Sequence, residues 1–331
     1  MNETRASGPS FRLEPPAPSA CAGPYDFIVR LDNEPLTDAT LDEVVGFIRR
    51  SNPFAQNVWG WDIGRFMDWR WGVNTAFEAV QPGWFAKHCT VFRDGPAISA
   101  VSIAEYGAEH RCIITTGEDS AAVRWALGWL MSERRDPGLR FDFSDTELWL
   151  RDLFATAGFA ETPNTGIDWE YDLAAVGDAG PVPAGFTIAS LADDPRPNYP
   201  GIAECIQAAF ASDFDHLPGL RSLESNPMFR PELSVVARSP DSRIAAYCRG
   251  VVDQETGVCS IDPVCCHPDF QRRGLSKAIV QSCFHTQRDL GGRFSYIGSA
   301  PDPAPGTYLY RSLGPSSTNT LCAWSLNSTE T

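Results

Sequence analysis

One succession of elements can be read twice along this chain of 331 residues, and that repetition constrains the fold more than any single motif. In the second half, Gly185–Leu191 alternates like a strand and Tyr199–Ala211 has the apolar spacing of an amphipathic helix. Leu233–Ala237 and Ile244–Val251 are apolar runs separated by Ser-Pro-Asp-Ser, which predicts a hairpin. Gly257–Cys266 predicts another strand, closed by His267-Pro268. Leu275, Ala278, Ile279, Cys283 and Thr286 then fall on one helical stripe between Gly274 and Asp289, ended by Gly291-Gly292. A strand from Phe294–Ile297, a short helix over Thr307–Leu313 and a strand over Leu321–Leu326 complete the order β-α-β-β-β-α-β-α-β.

The first half gives the same order: strand Tyr25–Arg30, helix Leu41–Arg50, strands His88–Phe92, Ala97–Glu105 and Arg111–Thr116, helix Ser120–Arg134, strand Leu139–Phe143, helix Thr146–Ala157, strand Gly166–Leu173. Between the halves lies Ala174–Gly185, small and rich in Gly and Pro, without periodicity. The reading is a structural duplication of mixed α/β (α+β) domains: a flexible tail over 1–22, a domain over 23–173, a linker over 174–184 and a domain over 185–331.

Charge separates the halves. Residues 182–331 hold 12 Lys+Arg against 15 Asp+Glu, so most of the formal charge of −15 lies upstream, and a polyanionic ligand would favour the second half. That acidity is a poor match to nucleic acid, and the chain has no run of 18 apolar residues to span a membrane. The first twenty residues lack the apolar core of a secretory signal, so the expected location is cytoplasmic, with a monomer or homodimer as the assembly. Ten cysteines and five histidines form no C-x-x-C, H-x-x-x-H or H-E-x-x-H pattern, so no metal is expected and the cysteines read as buried small apolar groups.

Chemistry concentrates in Ile261–Ser276, I-D-P-V-C-C-H-P-D-F-Q-R-R-G-L-S, where a strand, a tight turn and a helix start follow one another. Gly274 lets the backbone bend with no side chain in the way, so several N–H groups can converge on one point at the positive end of the helix. With Arg272 and Arg273 alongside, the turn suits a diphosphate. It is neither a Walker A loop nor a G-x-G-x-x-G loop.

This stretch resembles the acyl-CoA-binding motif of the GNAT superfamily of N-acetyltransferases, Q/R-x-x-G-x-G/A preceded by V-x-P, with Ser276 where the family prefers Gly or Ala. Downstream, Tyr308-Leu309-Tyr310-Arg311-Ser312-Leu313-Gly314 is similar to the family's L-Y-x-x-x-G-F ending, with Pro315 for Phe and Pro303 where an Asn is usual. In the first half, Leu153–Phe159 imitates that ending without its Tyr. Thr115–Ser120 stands there in place of a phosphate loop, and its two carboxylates would repel a diphosphate, so that half reads as a degenerate copy.

The resemblance implies two tandem GNAT-like domains, each a mostly antiparallel sheet flanked by helices, the second binding acetyl-CoA. It implies transfer of acetyl to the amine of a small molecule in a direct ternary complex. The alternatives are a non-catalytic acyl-CoA-binding or sensing protein and a protein N-acetyltransferase. By the same likeness a bulge in Val264–Cys266 exposes backbone for pantetheine, and Val264, Cys265, Cys266, Gln271, Arg272, Arg273, Gly274, Leu275 and Ser276 form the cofactor site. Tyr310 becomes the general acid, with Tyr308 in reserve, and Asp262 the general base, ahead of Asp302 and His267. Cys265 and Cys266 are weak nucleophile candidates, since only His267 stands beside them. In the first half Trp61 and Trp69, on one predicted helical face with Arg65 and Phe66, are expected at the seam between the copies or on a wall of the acceptor pocket.

Overall fold

The computed structural model describes residues 30–51, 61–72, 75–105, 107, 110–115, 120–134, 138–178, 180–194 and 196–326. In chain order the first half contains β1 (Asp32–Pro35), α1 (Leu41–Ser51), α2 (Ile63–Trp71), α3 (Thr75–Val80), α4 (Trp84–His88), β2 (Thr90–Asp94), β3 (Ala97–Ala104) and β4 (His110–Thr115). It continues with α5 (Ser120–Arg134), β5 (Arg140–Ser144), α6 (Leu148–Thr156) and β6 (Ala160–Asp172). The second half runs β7 (Thr187–Ser190), α7 (Tyr199–Phe210), α8 (Leu217–Ser222), β8 (Ser234–Arg238), β9 (Ile244–Asp253), β10 (Val258–Cys266), α9 (Leu275–Asp289), β11 (Phe294–Ser299), α10 (Pro305–Ser312) and β12 (Ser317–Ser325).

The twelve strands among the described residues belong to one sheet, in the order β1-β2-β3-β4-β5-β12-β6-β11-β10-β9-β8-β7. Pairing is antiparallel except for β4 with β5 and β10 with β11. The centre of the sheet carries the main topological finding. Strand β6, last of the first half, pairs with β11 from Ser299↔Ile167 to Phe294↔Asp172. Strand β12, last of the second half, pairs with β5 and with β6. Each half's final strand therefore completes the sheet of the other, and no gap divides the sheet along the 174–184 stretch.

Sequence patterning accounts for most of these elements. In α9 the stripe Leu275, Ile279, Cys283 is buried, while Gly274 at φ 81° and Gly291 at φ 95° flank the helix. Strand β9 is buried along its whole length, as a strand covered on both faces must be. Side chains alternate between two cores. Val235, Ala237, Cys248, Ile261 and Ile297 face α9 and α10. Val236, Tyr247 and Cys265 face α7 and α8.

Apart from the exchanged strands, which join the two expected sheets into one, the differences from the sequence reading are local. The expected strand Tyr25–Arg30 lies, apart from Arg30, outside the described residues, as does most of Thr115–Ser120. Helices α3, α4 and α8 fall where the repeat gave none, each six residues long or shorter. Strands β6 and β12 start earlier than predicted, at Ala160 and Ser317, because Thr162–Thr165 and Ser317–Thr320 are polar and carry no apolar alternation. Their pairing with each other makes them strands.

Candidate active site

The site begins where two parallel strands part. Strands β10 and β11 pair only from Val258↔Phe294 to Ser260↔Tyr296. Beyond that point β11 stays with β6, while β10 continues against β9 with a register shift between Ile261 and Val264. Asp262 and Pro263 together oppose Arg249, one residue more than the partner strand supplies, so this is a β-bulge. The bulge therefore sits at Asp262-Pro263, ahead of the Val264–Cys266 segment in which it was expected. The extra residue reverses the alternation: Ile261 faces α9, yet Cys265, an even number of residues later, faces α7. Past the bulge, the edge of β10 that faces β11 has no strand beside it among the described residues.

Strand β10 leads through His267 into the turn before α9. Arg272 and Gly274 both adopt positive φ, 60° and 81°. Among the described residues no hydrogen bond engages the main-chain N–H of any residue from Arg272 to Lys277. Six consecutive donors at a helix N-terminus, two of them turned by left-handed residues, form a nest for an anion. Gln271 steadies the turn by donating from Nε2 to the Cys266 carbonyl at 3.3 Å. Arg273 lies loosely over Phe186 and Phe270 and does not line the cavity described below.

Tyr310 projects from α10 and is only 6 % exposed. Its backbone is fixed by the Tyr171 hydroxyl, which donates to the Tyr310 carbonyl at 2.9 Å, and its ring rests near Trp169. Burial, reinforced by the Asp262 charge, pushes the Tyr310 phenol up, so it is a protonated donor at neutral pH. Tyr308, 65 % exposed, sits at the rim. The other base candidates are engaged elsewhere: Asp302 accepts from Thr307 and Arg311, and His267 accepts from the Asp269 amide. Burial raises the thiol of Cys266 to about 11, and Cys265, in contact with Cys205, is raised well above its ordinary value. Neither offers a thiolate.

Asp262 faces the same cleft. Crowding by protein raises its carboxyl, and the Arg249 and Arg65 charges oppose that shift. Arg249 also holds the bulge, donating to the Asp262 carbonyl at 3.0 Å while its other nitrogen is paired with Asp68 of α2. Helix α2 thus ties the first half to the bulge.

From the first half come the remaining walls. Asp62 caps α2 by accepting from the Arg65 amide at 2.8 Å, and Arg65 is paired through Nε with Glu105 at 3.0 Å. Burial raises the carboxyls of Asp62 and Asp168 to about 6 each. Trp61 precedes the helix rather than riding on it, edge-on to Trp69 and covered by Arg65. Trp69 is anchored in the core by a bond from Nε1 to the Ala104 carbonyl.

One cavity of about 1820 Å³ joins these groups. It brings together the sequence-predicted Trp61, Trp69, Asp262, Val264, Cys265, Cys266, Gln271, Arg272, Gly274, Leu275, Ser276, Tyr308 and Tyr310, leaving out Arg273. It adds Glu105, Asp168, Arg249 and Gly298, which sequence reasoning missed. Asp168 carried no signal of its own: between Ile167 and Trp169 it reads as the solvated face of a strand. Among the described residues no three His, Cys, Asp or Glu side chains are arranged to hold a metal ion.

Residues 188–314 match the Acetyltransferase (GNAT) family. This segment is a GNAT domain. It contains the splayed strands, the amide nest and Tyr310. Over the whole chain the architecture is similar to that of a tandem GNAT protein from the clavulanic acid biosynthesis pathway, with TM-score 0.60, 11 % identity and 91 % of this chain and 100 % of that one covered. A GCN5-related N-acetyltransferase from Sphaerobacter thermophilus gives TM-score 0.59 at 15 % identity, over 91 % of this chain and 97 % of that one. A GNAT-family acetyltransferase from Colwellia psychrerythraea gives 0.55 at 7 % identity, over 89 % and 99 %. At these identities the likeness is one of fold, and it is the family match over 188–314 that supports an acyltransferase. Comparison with curated proteins finds no match. No helix among the described residues is long and apolar enough to cross a membrane.

Proposed function

We propose that the protein transfers an acetyl group from acetyl-CoA to the amine of a small molecule in a direct ternary complex, with the GNAT domain as the catalytic half. The observation that carries this reading is the run of six unpartnered amides from Arg272 to Lys277 beside an open cleft between parallel strands. Those amides would hold the diphosphate. The free edge of Val264–Cys266 would pair with the pantetheine amides and polarise the thioester carbonyl, a role main-chain donors fill.

The chemistry then divides between two side chains. Asp262 takes the proton that the amine nitrogen loses as it forms the N–C bond. Tyr310 gives its phenolic proton to the sulfur as the C–S bond breaks. A cavity walled by both halves suits a compact acceptor.

Thermal denaturation with acetyl-CoA and longer acyl-CoAs, followed by an amine panel assayed for free thiol, tests the proposal. Acetyl-CoA should stabilise the fold, and Tyr310→Phe should lower kcat by about 10²-fold or more, while Tyr308→Phe should not. Absence of stabilisation at high acetyl-CoA concentration would overturn the assignment. Stabilisation without turnover of any amine would leave a binding protein in its place.

A further inference from the structure

The exchanged strand places a first-half carboxylate in the second half's cleft. In the register of the sheet, Ser260, Tyr296 and Glu170 form one row across β10, β11 and β6. Two residues along each strand lie Asp262, Gly298 and Asp168, with Gly298 directly paired to Asp168. Side chains in one such row share a face, here the one opposite the core that contains Ile297 and Trp169. Gly298, between the two carboxylates, has no side chain, and a Cβ there would lie 3.5 Å from Asp168 Oδ1. Asp168 therefore leans over a bare strip of β11. Because β10 leaves β11 after Ser260, Asp168 is separated from Asp262 by at least two strand spacings, about 10 Å or more.

The Asp168 carboxylate has no hydrogen bond or ion pair among the described residues, although it lines the cavity. Its charged surroundings are Asp62, Glu105 and Arg65, and Arg65 is already bound to Glu105. Two neighbouring carboxylates and one engaged guanidinium leave an unmet demand for positive charge. With its carboxyl raised only to about 6, Asp168 is ionised at neutral pH.

We infer that Asp168 binds a second cationic nitrogen of the acceptor, so that the preferred substrate is a short-chain diamine rather than a monoamine. The inference rests on the acetyl-transfer reading above. One amine is acetylated at Asp262 and Tyr310. The other, still an ammonium, donates to the Asp168 carboxylate across Gly298. Asp168 is then a specificity residue, supplied by a half whose own phosphate turn is degenerate.

The experiment compares 1,4-diaminobutane with 1-aminobutane on the full chain, alongside Asp168→Asn and Asp168→Glu, with acetyl-CoA-induced thermal stabilisation measured for each. The wild type should favour the diamine in kcat/KM by about 10- to 100-fold, the range of a hydrogen bond to a charged group. Asp168→Asn should remove that preference through KM while its acetyl-CoA stabilisation persists, and Asp168→Glu should keep most of it. Equal use of the two amines, no diamine turnover by a protein that acetyl-CoA stabilises, or an Asp168→Asn variant that retains the preference would each overturn the inference. Should Asp168→Asn fail to fold, the wild-type comparison and Asp168→Glu decide alone. Failure of acetyl-CoA to stabilise the wild type strikes instead at the underlying reading, and this inference falls with it.

Discussion

Gly274→Asp separates the contribution of the amide nest from that of the fold. Gly274 holds φ 81°, and an added Cβ would meet nothing nearer than Pro183 Cγ at 4.0 Å, so a side chain there is strained but not crowded. The left-handed conformation costs a non-glycine residue about 1–2 kcal/mol. Helix α9 has no side-chain cap at this position, and an aspartate at the helix N-terminus returns about 0.3–1 kcal/mol. The unliganded variant should therefore lose no more than about 2 kcal/mol of stability. Binding should suffer far more. A carboxylate about 5 Å from a phosphate charge, at an effective dielectric of about 20, opposes it by about 3 kcal/mol, or about a hundredfold in Kd. At acetyl-CoA equal to about 100 wild-type Kd, ligand stabilisation would fall from about 2.7 kcal/mol to about 0.4 kcal/mol. Gly274→Ala, which has the strain without the charge, should keep most of it. Thermal denaturation across an acetyl-CoA titration reads both effects. An Asp variant still fully stabilised by ligand, or an Ala variant that loses as much as Asp, would refute the reasoning.

Two further outcomes follow from the first half's role. Burial raises the Asp62 carboxyl from its ordinary 3.8 to about 6, so the stability it contributes is fully present below pH 4 and lost as pH rises through about 6. Asp62→Asn, which can still cap α2, should gain about 3 kcal/mol over wild type at pH 8 and less than about 1 kcal/mol at pH 4 in urea unfolding, and pH-independent curves for the pair would contradict this. Residues 180–331 expressed alone should not give a folded monomer, because β11 loses β6 and β12 loses both β5 and β6. Size-exclusion chromatography should show aggregate or dimer, rescued by co-expression with residues 1–179, and a cooperatively unfolding monomer would show that the exchange is dispensable.

Much of this architecture was legible because local patterning and turn chemistry decide it. The stripe Leu275, Ile279, Cys283, the Gly274 turn and the repeated element order are short-range features, and the fold keeps them almost residue for residue. Strand order in the middle of the sheet is different in kind. Nothing in Leu321–Leu326 or Gly166–Leu173 says which neighbour each will take, because the same edge pairing satisfies the backbone of either half. The bulge was displaced by two residues for a related reason: only pairing with β9 fixes where the extra residue falls, and Arg249, bound to Asp68 and to the Asp262 carbonyl, fixes it there.

The same distinction separates the groups that the sequence revealed from those it hid. The amide-rich turn at Arg272–Lys277 was visible because its donors are consecutive residues of one loop. An acceptor site must combine side chains from opposite sides of the cleft, and these come from α2, β6 and β10, far apart in sequence. The first half's last strand stands beside β11, and its helix α2 packs on β9 and β10. Exchange of the final strands brings the first half to the cleft of the second. It walls one side of the cleft and sets Asp62, Glu105 and Asp168 there, so under the proposed function the acceptor's charge, not the donor's, is what this half would select.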